Sequence, residues 1–75
     1  MNEVVMNAGV LGGKPCVRGT RISVELILEL LASGATREDI FAAHPQVTPE
    51  GLTGALHYAA HALKNEIVWD VKIPA

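Results

Sequence analysis

Ser23-Val24-Glu25-Leu26-Ile27-Leu28-Glu29-Leu30-Leu31-Ala32-Ser33-Gly34 is a helix with both of its ends written into it. Ser23 stands at the N-cap, where its hydroxyl can accept a hydrogen bond from an unpaired amide of the first turn. Glu25 in that turn complements the helix dipole. Apolar residues fill positions 24, 26, 27, 28, 30 and 31, while Glu25 and Glu29, four apart, form the one charged strip. A helix that is apolar over most of its circumference is expected to be nearly surrounded by protein. Gly34 is a natural residue for the turn that ends it.

Downstream, two more helix starts follow. Thr36-Arg37-Glu38-Asp39 places a threonine cap ahead of an acidic turn, with Asp39 as a short substitute for the Glu or Gln of a capping box. Ile40 and Phe41 supply its apolar contacts, and His44-Pro45 closes it, because proline pushes the preceding residue out of the helical region. Thr48-Pro49-Glu50 has a capping threonine, proline at the first helical position and an acid at the second. The third helix should run from 49 to about 65, with Leu52, Ala55, Leu56, Ala59, Ala60 and Leu63 as its core face. Glu50, Thr53, Gly54, His57, His61 and Lys64 lie opposite. Gly51 and Gly54 each cost such a helix on the order of 1 kcal/mol against alanine. They would let another backbone, DNA included, approach it.

Upstream of Ser23 the pattern changes. Residues 3–6 are β-prone, Asn7-Ala8-Gly9 and Gly12-Gly13-Lys14-Pro15 are turn signals, and Cys16-Val17-Arg18 is a second strand fragment. Residues 3–22 therefore read as an irregular β-hairpin. At the other end, Ile67, Trp69, Val71 and Ile73 alternate with Val68, Asp70 and Lys72, a strand pattern stopped by Pro74. The expected fold is mainly α within a single domain, residues 1–75. It comprises a β-arm at 1–22, a three-helix, helix-turn-helix-like unit at 23–65 and a short strand at 66–75.

The chain has 75 residues and is 49% hydrophobic. A lone core of this size is marginal, so part of the apolar surface is expected to face another protein. Cys16 is the single cysteine, which rules out an intrachain disulfide and suits a reducing cytoplasm. The longest apolar stretches fall far short of the roughly 20 residues a membrane span needs, and the N-terminus lacks the pattern of a signal peptide. A cytoplasmic protein with no membrane association is expected. Net charge is −2, unevenly spread. Between Val4 and Val24 stand Lys14, Arg18 and Arg21 without an acid; from Glu25 onward three bases face seven acids. A positive arm on a negative body suggests contact with a polyanion or an acidic protein surface.

The arm also resembles a known family. Gly9-Val10-Leu11-Gly12-Gly13-Lys14-Pro15-Cys16-Val17-Arg18-Gly19-Thr20-Arg21-Ile22-Ser23-Val24 is similar to the signature of the bacterial family of domain of unknown function 433. The likeness continues through Leu28-Glu29-Leu30-Leu31-Ala32-Ser33-Gly34, Glu38-Asp39-Ile40, His44-Pro45, Thr48-Pro49-Glu50 and Ala55-Leu56-His57-Tyr58-Ala59, covering residues 7–64. Ala8 stands where the family often has proline, and the tail bearing Trp69 lies outside the common motif. The resemblance implies a homeodomain-like, helix-turn-helix fold. It also implies the antitoxin half of a VapB-like toxin–antitoxin pair, often beside a PIN-like ribonuclease toxin.

Lys14, Arg18 and Arg21 suit phosphate contact, as in the basic arms of helix-turn-helix proteins; a pair such as Arg21 with Glu25, holding arm to helix, is the alternative. Thr48, Thr53 and His57 are the candidate DNA-facing residues of the third helix. No Arg, Lys, Asn or Gln stands at its exposed early positions for bidentate base reading, so protein binding without DNA stays open. Leu26, Leu30, Ile67, Trp69 and Val71 are candidates for a homodimer or partner interface. His57 and His61 have zinc-ligand spacing, but no glutamate follows His57 and no cysteine cluster accompanies them. The glycine-rich arm lacks the spacing of a phosphate loop. No nucleophile–base–acid set is present, and neither a cofactor nor a metal is expected.

Overall fold

A computed structural model describes residues 3–64. In chain order it contains strand β1 (Val4–Val5), a single 3-10 turn (Leu11–Gly13), strand β2 (Cys16–Val17) and helices α1 (Val24–Ala32), α2 (Arg37–Ala43) and α3 (Pro49–Lys64). The mainly helical three-helix fold with an N-terminal hairpin is the one expected. The expected strand at 66–75 lies outside the described residues.

β1 and β2 pair antiparallel, with Val4 opposite Val17 and Val5 opposite Cys16. The Arg18 amide donates to the Glu3 carbonyl at 2.7 Å, extending the pairing by one residue. The chain then folds back on β2: the Val17 amide donates to the Ile22 carbonyl at 2.9 Å, and the Thr20 amide to the Val17 carbonyl at 3.0 Å. Gly19, at φ +79°, takes the left-handed position that this turn requires. The Thr20 hydroxyl locks the turn, donating to the Val17 carbonyl and accepting from the Ile22 amide, both at 2.9 Å.

All three caps form. Ser23 Oγ accepts from the Leu26 amide at 2.9 Å. Thr36 and Asp39 complete a reciprocal capping box at 3.1 and 2.9 Å. Thr48 Oγ1 accepts from the Gly51 amide at 2.9 Å. α1 ends in a Schellman motif, in which Gly34 and Ala35 donate to the carbonyls of Leu31 and Leu30, both at 3.0 Å.

The core comprises Val17, Ile22, Val24, Ile27, Ile40, Val47, Leu52 and Ala55, with Ile27, Leu52 and Ala55 wholly buried. α3 packs against α1 and both strands, and α1 against α2. The connection from α2 to α3 contributes to this core. Its turn, in which the Val47 amide donates to the His44 carbonyl at 2.9 Å, drops Val47 into the interior. Cys16 is buried, its thiol donating to the Lys14 carbonyl at 3.2 Å.

α1 departs from the expected degree of enclosure. Val24 and Ile27 are buried, but Leu26, Leu30 and Leu31 are only half-buried and Leu28 is exposed. Among the described residues α3 and α2 pack against α1, and the rest of its apolar surface is left uncovered by them. No helix among the described residues is long and apolar enough to cross a membrane.

Candidate functional site

The two glycines of α3 have a different neighbour from the one expected. A Cβ on Gly54 would lie 2.5 Å from the Cβ of Glu3, and one on Gly51 would lie 2.9 Å from Val17 Cγ1. What comes close to α3 here is therefore the protein's own arm, through the side chains of Glu3 and Val17. The hairpin lies on the first turns of the helix, and residues 51 and 54 are glycine so that it can.

This docking shapes a groove of about 690 Å³ between β1 and one flank of α3, lined by Glu3, Val4, Pro49, Glu50, Thr53, Gly54, His57, Tyr58 and His61. Two carboxylates stand in that lining and no lysine or arginine. Thr53 and His57, two of the expected DNA-facing residues, belong to this acidic groove. Thr48, the third, is exposed, with its hydroxyl engaged by the Gly51 amide.

The arm cations are distributed differently. Lys14 pairs with Glu25 of α1 at 3.1 Å, so the contact that ties arm to helix uses Lys14 where Arg21 was the candidate. Both side chains are well exposed, and such pairs contribute about 0–1 kcal/mol. Arg18 and Arg21 flank the Gly19 turn and are exposed. Arg21 also borders a second groove with Val5, Asn7, Val10, Cys16, Gly19, Thr20 and Gln46.

Leu26 and Leu30 lie one helical turn apart on α1, half-buried against the core. Ile67, Trp69 and Val71 lie outside the described residues. Sequence reasoning did not single out Leu28, Met6 and Leu11, which are exposed by 37%, 61% and 40%. Leu11 also takes a positive φ of 51°, a conformation uncommon outside glycine, asparagine and aspartate. Nothing in its sequence context signals that. Glu3 was likewise missed, because its role depends on where the arm docks. Among the described residues no group of three or more His, Cys, Asp or Glu side chains could hold a metal ion.

The family described as a protein of unknown function, DUF433, matches residues 4–59. A crystal structure of a DUF433 member protein from Anabaena variabilis is similar to the chain, with 31% identity and a TM-score of 0.79 over 85% of this chain. The chain spans 63% of the length of that protein. No curated protein matches the chain. β1, β2, the three caps and both glycines of α3 fall inside the matched residues, and Glu3 lies one residue ahead of them.

Proposed function

The chain belongs to the DUF433 family, a family of unknown function, and from that membership we propose that it is the antitoxin half of a toxin–antitoxin pair. It acts in the cytoplasm by binding, without catalysis of its own. Its toxin is a PIN-like ribonuclease, captured through apolar surface that the described residues leave exposed. The observation that carries this reading is α1, whose Leu28 is 37% exposed beside the half-buried Leu26, Leu30 and Leu31. A buried leucine stabilises by roughly 1.5–3 kcal/mol relative to an exposed one, so a partner surface gains from covering that row. Met6 and Leu11 add exposed apolar groups on the arm. Co-expression with the product of the neighbouring gene tests the reading. The two proteins should co-purify, and Leu28→Lys should abolish the complex while the chain stays folded. Co-purification unaffected by Leu28→Lys removes α1 as the contact, and no complex at all removes the antitoxin role.

In the same reading the chain is a homodimer that also contacts operator DNA. The exposure of Arg18 and Arg21 on a turn locked by Thr20 favours the arm as the DNA contact. Glu3 and Glu50 disfavour α3, since carboxylates repel phosphates; Thr48, Thr53 and His57 would then contribute little. A gel shift with the upstream DNA at two salt concentrations decides between this and a protein-binding module without DNA. Replacing Arg18 and Arg21 together by alanine should weaken the shift and flatten its salt dependence, by about 0.9 in log–log slope per lost phosphate contact. No shift at low salt leaves protein binding alone.

A further inference from the structure

We propose that the groove between β1 and α3 binds an extended, lysine- or arginine-bearing segment of a partner protein, added as a strand to the edge of β1. Three observations converge. The Arg18 amide donates to the Glu3 carbonyl, which makes Glu3 and Arg18 a hydrogen-bonded pair of the hairpin. Antiparallel strands alternate, so the N–H and C=O of Val4 point away from β2. Val17, the residue opposite Val4, accordingly gives its amide to the Ile22 carbonyl on its other side. Val4 meanwhile packs its side chain against the core and lines the groove. An edge of this kind is the template used in strand addition.

On its α3 side the groove is long enough for a short extended segment. Its α3 side runs from Pro49 to His61, about 18 Å at 1.5 Å per residue. Five extended residues cover about 17 Å. The chemistry selects the occupant. Glu3 and Glu50 provide negative charge with no lysine or arginine in the lining. Val4, Pro49 and the Tyr58 ring offer apolar surface for the stems of long basic side chains. A basic head over the Tyr58 ring would add a cation–π contact. The seat of the Glu3 stem against Gly54 holds one of the two acidic residues of the lining against α3, so the site is built before any partner arrives.

This inference rests on the reading of the chain as a protein binder, and its test is separate from capture of the toxin. The full chain, isotope-labelled, is titrated with a blocked seven-residue peptide of alternating valine and lysine, and with the same peptide carrying glutamate for lysine. The lysine peptide should shift the amides of Val4, Thr53, Gly54 and His57, and the glutamate peptide should not. Glu50→Lys should weaken binding tenfold or more, with Glu50→Gln between the two. Glu3→Lys provides the same readout from the arm should Glu50→Lys fail to fold. Equal binding of both peptides, shifts confined to other surfaces, or no effect of either charge reversal overturns the proposal. So does movement of the same amides with protein concentration alone, which would assign the groove to a second copy, or with a short DNA duplex. Failure here with toxin capture intact removes the groove and leaves the antitoxin reading; failure of capture with peptide binding intact does the reverse.

Discussion

Gly54 matters most among single residues because a Cβ there has nowhere to go. The overlap falls on the Cβ and Cγ of Glu3, so relief requires the start of the arm to move. Alanine would otherwise favour the helix by about 1 kcal/mol. Gly54→Ala should nevertheless lower stability, by about 1–2 kcal/mol in urea unfolding. It should also speed amide exchange at Val5 and Arg18 more than at Leu52. Glu3→Gly in the same chain should recover most of the loss, the coupling expected of residues in contact; additive effects would mean the arm does not rest there. Leu11 supplies the opposite case. A left-handed leucine costs about 1–2 kcal/mol and an added glycine about 0.5–1 kcal/mol through the unfolded chain. Leu11→Gly should therefore leave stability unchanged or raise it by up to about 1.5 kcal/mol. A clear loss would show that the side chain supports the fold.

The helices were legible because their ends are local. Ser23, Thr36 and Thr48 each cap an amide within three residues, and short-range chemistry is what a sequence displays directly. Thr48 is also where two readings part. As the cap of α3, its replacement by alanine should cost about 1 kcal/mol, measured by thermal or urea unfolding. If the hydroxyl served DNA instead, stability would hold and only a gel shift would change. The end of α2 at His44-Pro45 was legible but the burial of Val47 after it was not, because that burial depends on tertiary packing. The glycines of α3 were noticed, yet their neighbour was not. That Gly54 meets Glu3, 51 positions earlier in the chain, is settled by tertiary packing alone. The same holds for Lys14: Arg21 was the candidate partner of Glu25, and the fold of the hairpin brings Lys14 there instead.

Taken whole, the described residues offer more than one candidate contact surface. Arg18 and Arg21 sit at the outer turn of the arm, Glu3 and Glu50 in the groove, and the leucines of α1 on a third surface. Such an arrangement suits contact with more than one molecule at a time. If a second copy covers the α1 leucines, the midpoint of thermal unfolding should rise with protein concentration, because association stabilises only the folded chain. Leu28→Lys should remove that dependence. A midpoint constant across a hundredfold range of concentration would mean that the chain does not self-associate through this surface.

The seat of Glu3 on Gly54 also bears on how the protein is handled. A purification tag or fluorescent fusion at the N-terminal end is joined close to Glu3, which lines the groove, and can crowd the edge of β1. A weak result from an N-terminally tagged chain would then measure the tag. Comparing that chain with one tagged at its other end is a quick check on whether a tag beside Glu3 disturbs the groove.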